Sequence, residues 1–70
     1  MVRFLIKDDP KFVNTKLRVE YSNDKVAIVP QVGDLVALDD KSFVVYSVCH
    51  IMEDTEVNTN VVITPVVSRG

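Results

Sequence analysis

Seventy residues with a formal net charge of −2 and 47% hydrophobic side chains make one domain, residues 1–70, with no room for a second. That apolar content excludes a disordered chain, and a single cysteine excludes an intrachain disulfide. The acidic balance is the reverse of what a nucleic-acid binder usually carries.

Fifteen of the seventy residues are valine, which is stiff at Cβ and packs well on a pleated surface, so the class expectation is all-β. The first stretch, VRFLIK (2–7), reads as a strand with Val2, Phe4 and Ile6 on one face and Arg3 and Lys7 on the other. Asp9 before Pro10 has the look of a helix N-cap and first helical position, predicting one short turn there. TKLRVEY (15–21) alternates: Thr15, Leu17, Val19 and Tyr21 inward, Lys16, Arg18 and Glu20 outward. SNDK (22–25) is turn chemistry, and VAIV (26–29) is a short strand stopped by Pro30.

PQVGD (30–34) brings the chain round, with Gly33 free to take a positive φ. LVAL (35–38) is the next strand, and DDKS (39–42) a four-residue hairpin loop. FVVYSVCHIM (43–52) is the longest strand, and EDTEVNTN (53–60) reads as a polar loop tip. VVITPVV (61–67) closes the fold, with Pro65 placing it at an edge or a bulge. The expected architecture is a small five- or six-stranded antiparallel barrel or meander.

Strand 43–52 is apolar on both sides. Phe43, Val45, Ser47, Cys49 and Ile51 share one parity; Val44, Tyr46, Val48, His50 and Met52 share the other. With no helices to cover a second face, two explanations remain. The strand bends and exchanges the parity that faces the core, or the second face is a contact surface for another chain. A bend combined with some interface is the expectation.

The pattern P-Q-V-G-D-L-V-A-L followed by F-V-V-Y-S-V-C-H (residues 30–50) resembles small SH3-like β-barrel proteins that carry P-x-x-G-D-x-V before an aromatic-led strand. Such proteins are of the kind encoded by phages and mobile elements. The resemblance implies an SH3-like barrel and an accessory role, inhibiting a host factor or joining a larger assembly. It carries over no functional residues.

Chemistry is expected to be absent. One histidine and one cysteine cannot build a structural zinc site. Cys49 and His50 are strand neighbours and point to opposite faces, which disfavours a nucleophilic dyad. Cys49 reads as a small core residue and His50 as a packed or interface histidine, its functional version being a pH-sensitive contact. The pairs Asp8/Asp9 and Asp39/Asp40 sit in turns, where Asp is favoured for backbone reasons, and Glu53, Asp54 and Glu56 form a solvated acidic loop. Two glycines without a Lys-Ser/Thr pair make no phosphate loop. No catalytic residue, metal or cofactor is expected.

No basic segment precedes an apolar one at the start of the sequence, and the apolar runs fall short of the roughly 20 residues that span a bilayer. No membrane association is expected, and the location read from these features and the lone cysteine is a reducing cytosol. The function that follows is a non-enzymatic protein-binding module that self-associates as a homo-oligomer. Its contact would be Val44, Tyr46, His50, Val62 and Val66, with Tyr46 as the aromatic anchor. The alternative is nucleic-acid binding through the basic first hairpin, using Arg3, Lys7, Lys11, Phe12, Lys16 and Arg18. Residues 1–25 carry a net charge of +2, against −4 for the rest of the chain.

Overall fold

A computed structural model describes residues 1–7 and 14–66. The predicted turn at Asp9–Pro10, the pair Asp8/Asp9, and Lys11, Phe12 and Val67 lie outside the described residues. Among the described residues five strands form: β1 (Val2–Ile6), β2 (Lys16–Tyr21), β3 (Leu35–Leu38), β4 (Lys41–Met52) and β5 (Val57–Pro65). A 3₁₀ turn, Asn23–Lys25, follows β2. The protein is all-β, as its valine content predicts.

The strands make one sheet in the order β2-β1-β5-β4-β3. Three pairings are antiparallel, as a meander of local turns requires. The fourth is not: β1 lies parallel to β5, with Phe4 beside Val61 and Ile6 beside Ile63. The final strand is therefore the centre of the sheet and not an edge. Pro65 is tolerated because it falls at the end of β5, two residues past Ile63, where the β1 pairing stops.

Two β-bulges shape the sheet. In β2, Phe4 pairs with Val19 and Leu5 with Leu17, leaving Arg18 as the extra residue. In β4, Val45 pairs with Ile63 and Ser47 with Val62, leaving Tyr46 extra. Leu5 also pairs with Val62, so both bulges fall on one line running across β2, β1, β5 and β4. A bulge bends its strand and increases local twist. Two on one line crease the sheet into a half-barrel whose concave side holds the core.

The crease answers how β4 can be apolar on both sides. Before Tyr46, the buried parity is Phe43 and Val45. After it, Val48 packs on the core and Cys49 is exposed. The expectation that Cys49 is a core residue is corrected here: one inserted residue turns Cys49 and Ile51 outward. Leu17, predicted inward, is turned outward in the same way by the bulge at Arg18 and is 54% exposed.

Val2, Phe4, Phe43, Val45, Val61 and Ile63 form the buried core, with Val61 and Ile63 wholly enclosed. The Phe4 ring meets Tyr21 edge to face, with centroids 5.9 Å apart. Segment 26–29 is not the predicted strand. It crosses the concave side, where Val26 and Val29 pack against the core while Ile28 stands in solvent, 83% exposed. A hydrogen bond from the Asn23 side chain to the Val57 carbonyl fastens the start of this crossing.

The turn at Pro30–Asp34 works as its residues predict. The Asp34 N–H donates to the Gln31 carbonyl at 2.9 Å, and the Gln31 N–H donates to the Asp34 carboxylate at 2.8 Å. Gly33 takes φ +94° and donates to the Val45 carbonyl, so the turn delivers the chain to the edge of β4. The β3–β4 hairpin is tighter than predicted. Leu38 pairs with Lys41, and the loop is only Asp39 and Asp40, both at positive φ as a two-residue hairpin of the right twist demands.

The predicted loop 53–60 contracts to a turn at 53–56, closed by the Glu53 N–H on the Glu56 carbonyl. Residues 57–60 join β5 despite their polarity because several of their polar groups find partners, although the buried Asn60 Oδ1 has none. Thr59 donates its N–H to the Met1 carbonyl at 2.8 Å, and the Asn58 side chain donates to Glu53 at 3.4 Å.

Candidate interaction face

On the convex side of the sheet, alternation from the buried residues places Leu5, Val44 and Val62 outward. Pairing then aligns Leu17, Leu5, Val62 and Ser47 in one row across four strands, with the bulged Tyr46 beside its end. At about 4.8 Å per strand the row is roughly 14 Å long. Leu35, paired with Val44, adds a second apolar contact on the next rungs. Tyr46 is 49% exposed and Leu35 74%. The row coincides with the crease, so the bulges that bury the core also create a convex apolar ridge.

One cation at the ridge, Arg3, is neutralised within the chain, while Lys7 keeps its charge and rests on an aromatic face. The Lys7 ammonium lies 4.4 Å from the centre of the Tyr46 ring, an interaction worth about 0.5–1 kcal/mol at an exposed site. Arg3, on the same face, pairs with Glu20 at 3.1 Å.

The expected contact residues divide. Val44, Tyr46 and Val62 share the convex face. His50 does not: the bulge puts it on the concave parity, opposite Thr59, with Nδ1 3.0 Å from Thr59 Oγ1. Val66 follows β5 at the far end of the sheet, where it donates its N–H to the Ser42 carbonyl and helps line a cleft of about 430 Å³ with Ile6, Phe43 and Pro65. Leu5, Leu17 and Leu35 were not legible as residues of the convex face. Alternation assigns Leu17 to the core, and only the bulge at Arg18 reverses it.

Of the basic residues proposed for nucleic acid, Arg3 and Arg18 are held by Glu20 and Asp39, and Lys7 lies over Tyr46. Lys16 is exposed at the edge strand. The described part of this group does not converge on one surface free of carboxylates. Among the described residues, no three His, Cys, Asp or Glu side chains gather as a metal site, and no helix is long and apolar enough to cross a membrane.

No protein-family model matches the chain, and no curated protein or solved structure gives a match.

Proposed function

We propose that the protein is a non-enzymatic, cytosolic protein-binding module that works by self-association, two copies packing their convex ridges together. The observation that carries this reading is the apolar row Leu17–Leu5–Val62 with Tyr46 beside its Ser47 end: Leu17 and Tyr46 are exposed, and Leu5 and Val62 are partly so. A two-fold dimer needs only one self-complementary patch. The ridge suits one because Glu20, the carboxylate beside it, is already paired with Arg3, so closing the contact strands no acidic group. Tyr46 is the anchor: a half-exposed aromatic in such a patch is the residue type that dominates interface energetics. The turn at Pro30–Val36 and its resemblance to phage-type barrels support an accessory role, as a host-factor inhibitor or a small component of a larger assembly.

Light scattering after size exclusion at micromolar concentrations tests the reading. Association is expected, weakened by Leu17→Lys and by Tyr46→Ala, the latter about 30-fold for the loss of roughly 2 kcal/mol. Both side chains are substantially exposed, so the variants fold. A monomer at every concentration, or an assembly indifferent to both substitutions, overturns it.

A further inference from the structure

At the Ile63 end of the half-barrel the concave face runs on past the core. Ile6 lies beside Ile63, and Pro65 lies beside Phe43. With Val66 these side chains floor the cleft of about 430 Å³ at the mouth. Phe43 is buried and Val66 is exposed, so the cleft leads from the core out to solvent. Its size is within the range that small organic ligands fill, and barrel mouths are a common place for them.

The rim is cationic. Arg18 and Lys41 line it, and Lys16 stands exposed beside Ile6, on the same face of the sheet. Among the described residues Asp39 is the one carboxylate lining the cleft, and Arg18 already engages it. One carboxylate against three cations leaves positive charge in surplus around an apolar floor. The groove of about 480 Å³ at the other end of the sheet, between residues 29–32 and Val48 and His50, differs: no Lys, Arg, Asp or Glu lines it.

We propose that the cleft binds a small apolar monocarboxylate, of the medium-chain fatty acid class. Its hydrocarbon lies on Ile6, Phe43, Pro65 and Val66, and its carboxylate meets Arg18 and Lys41. Asp39 shows which group Arg18 accepts at this place, and the ligand carboxylate takes over its position. That exchange loses little, because the Asp39 side chain is 75% exposed and surface pairs of this kind are weak. A guanidinium can then hold the incoming carboxylate through two parallel N–H donors, while Lys41 adds a second charge. The site lies on the concave side of the sheet, goes beyond the self-association of the convex ridge, and does not depend on it.

Titration of the isotope-labelled full chain with sodium octanoate at constant ionic strength, followed by heteronuclear NMR, tests the site. Saturable shifts are expected, centred on the amides of residues 39–43 and 66. Affinity is expected to rise about two- to four-fold per methylene from butanoate to octanoate, as the chain fills the floor. The uncharged 1-octanol is expected to bind about ten-fold more weakly than octanoate. Arg18→Gln and Lys41→Gln are each expected to weaken octanoate about three- to ten-fold. Asp39→Asn removes the competing carboxylate, keeps a residue that tolerates positive φ, and is expected to tighten binding about two- to five-fold. All three side chains are exposed, so the variants fold. Shifts centred on Tyr46 or on Val48 and His50, 1-octanol binding as tightly as octanoate, an affinity indifferent to the three substitutions, or no saturable shift at low-millimolar octanoate overturns the proposal.

Discussion

The Arg18 guanidinium, on the outermost strand at one side of the sheet, donates to the Asp39 carboxylate in the turn that ends the outermost strand at the other side. Arg18 is the extra residue of the β2 bulge, and bulges re-aim side chains in this way. The sheet is not closed by backbone pairing, so this ion pair is a side-chain clasp across the open side of the half-barrel. Because Asp39 is largely exposed, the clasp contributes little: a double-mutant cycle with Arg18→Ala and Asp39→Asn is expected to give a coupling of at most about 1 kcal/mol, falling as salt is raised. Asn is used because position 39 has a positive φ. Chemical denaturation at low and high salt checks it.

Asp40 is exposed, yet its backbone is held at φ +65°. Asp40→Val is expected to cost about 1–2 kcal/mol from backbone strain alone, whereas Asp40→Gly costs nothing or stabilises slightly. Urea midpoints of the two variants measure the difference. Equal midpoints would mean that the two-residue hairpin is not the native turn.

Ile63 is completely enclosed at the centre of the central strand. Ile63→Ala is expected to lose about 2–5 kcal/mol. A domain of this size has roughly 4–10 kcal/mol in all, so the variant should be partly or wholly unfolded at 37 °C. Ile63→Val, at about 0.5–1.5 kcal/mol, should fold and shift only the melting temperature.

Deleting Tyr46 restores strict alternation to β4 and forces either the Phe43–Val45 half or the Val48–His50 half onto the wrong face. The expected result is loss of the cooperative thermal transition. Deleting Arg18 has the milder outcome, because β2 is an edge strand whose one half-buried side chain is Val19. That variant should still melt cooperatively, at a lower temperature. Circular dichroism melts of both deletions compare them.

The positions of β1, β2, β3 and β4 were legible because each carries alternation or a run of β-branched residues between turn signals. The Pro30–Asp34 turn was legible because Gly33 and Asp34 have backbone roles that few other residues fill. What alternation could not show was where it breaks. Nothing in the residues at Arg18 or Tyr46 announces an inserted position, since neither bulge uses glycine. Each reverses the facing of everything beyond it, and that is how Cys49, His50 and Leu17 were assigned to the wrong sides. The placement of β5 failed for a different reason: Pro65 argued for an edge, but a proline at the last residue of a strand removes no bond from the neighbour that has already ended. The convex apolar face was partly legible in Val44, Tyr46 and Val62. Its other half depends on pairings between distant strands that no local pattern contains.

The central position of β5 also sets the order of events during synthesis. Two hairpins precede it in the chain, β1–β2 and β3–β4, and β5 is the strand that pairs with both. Until residues 57–65 have left the ribosome, the strand that pairs beside both Phe4 and Val45 is absent, and each hairpin alone is a marginal structure in water. The nascent chain therefore gains no stable intermediate from its first fifty residues, and folding waits for the strand that arrives last and joins in parallel across the longest separation in the sequence. During that interval the uncharged stretch 46–52 is exposed on every growing chain, and neighbouring chains on one message hold it at high local concentration.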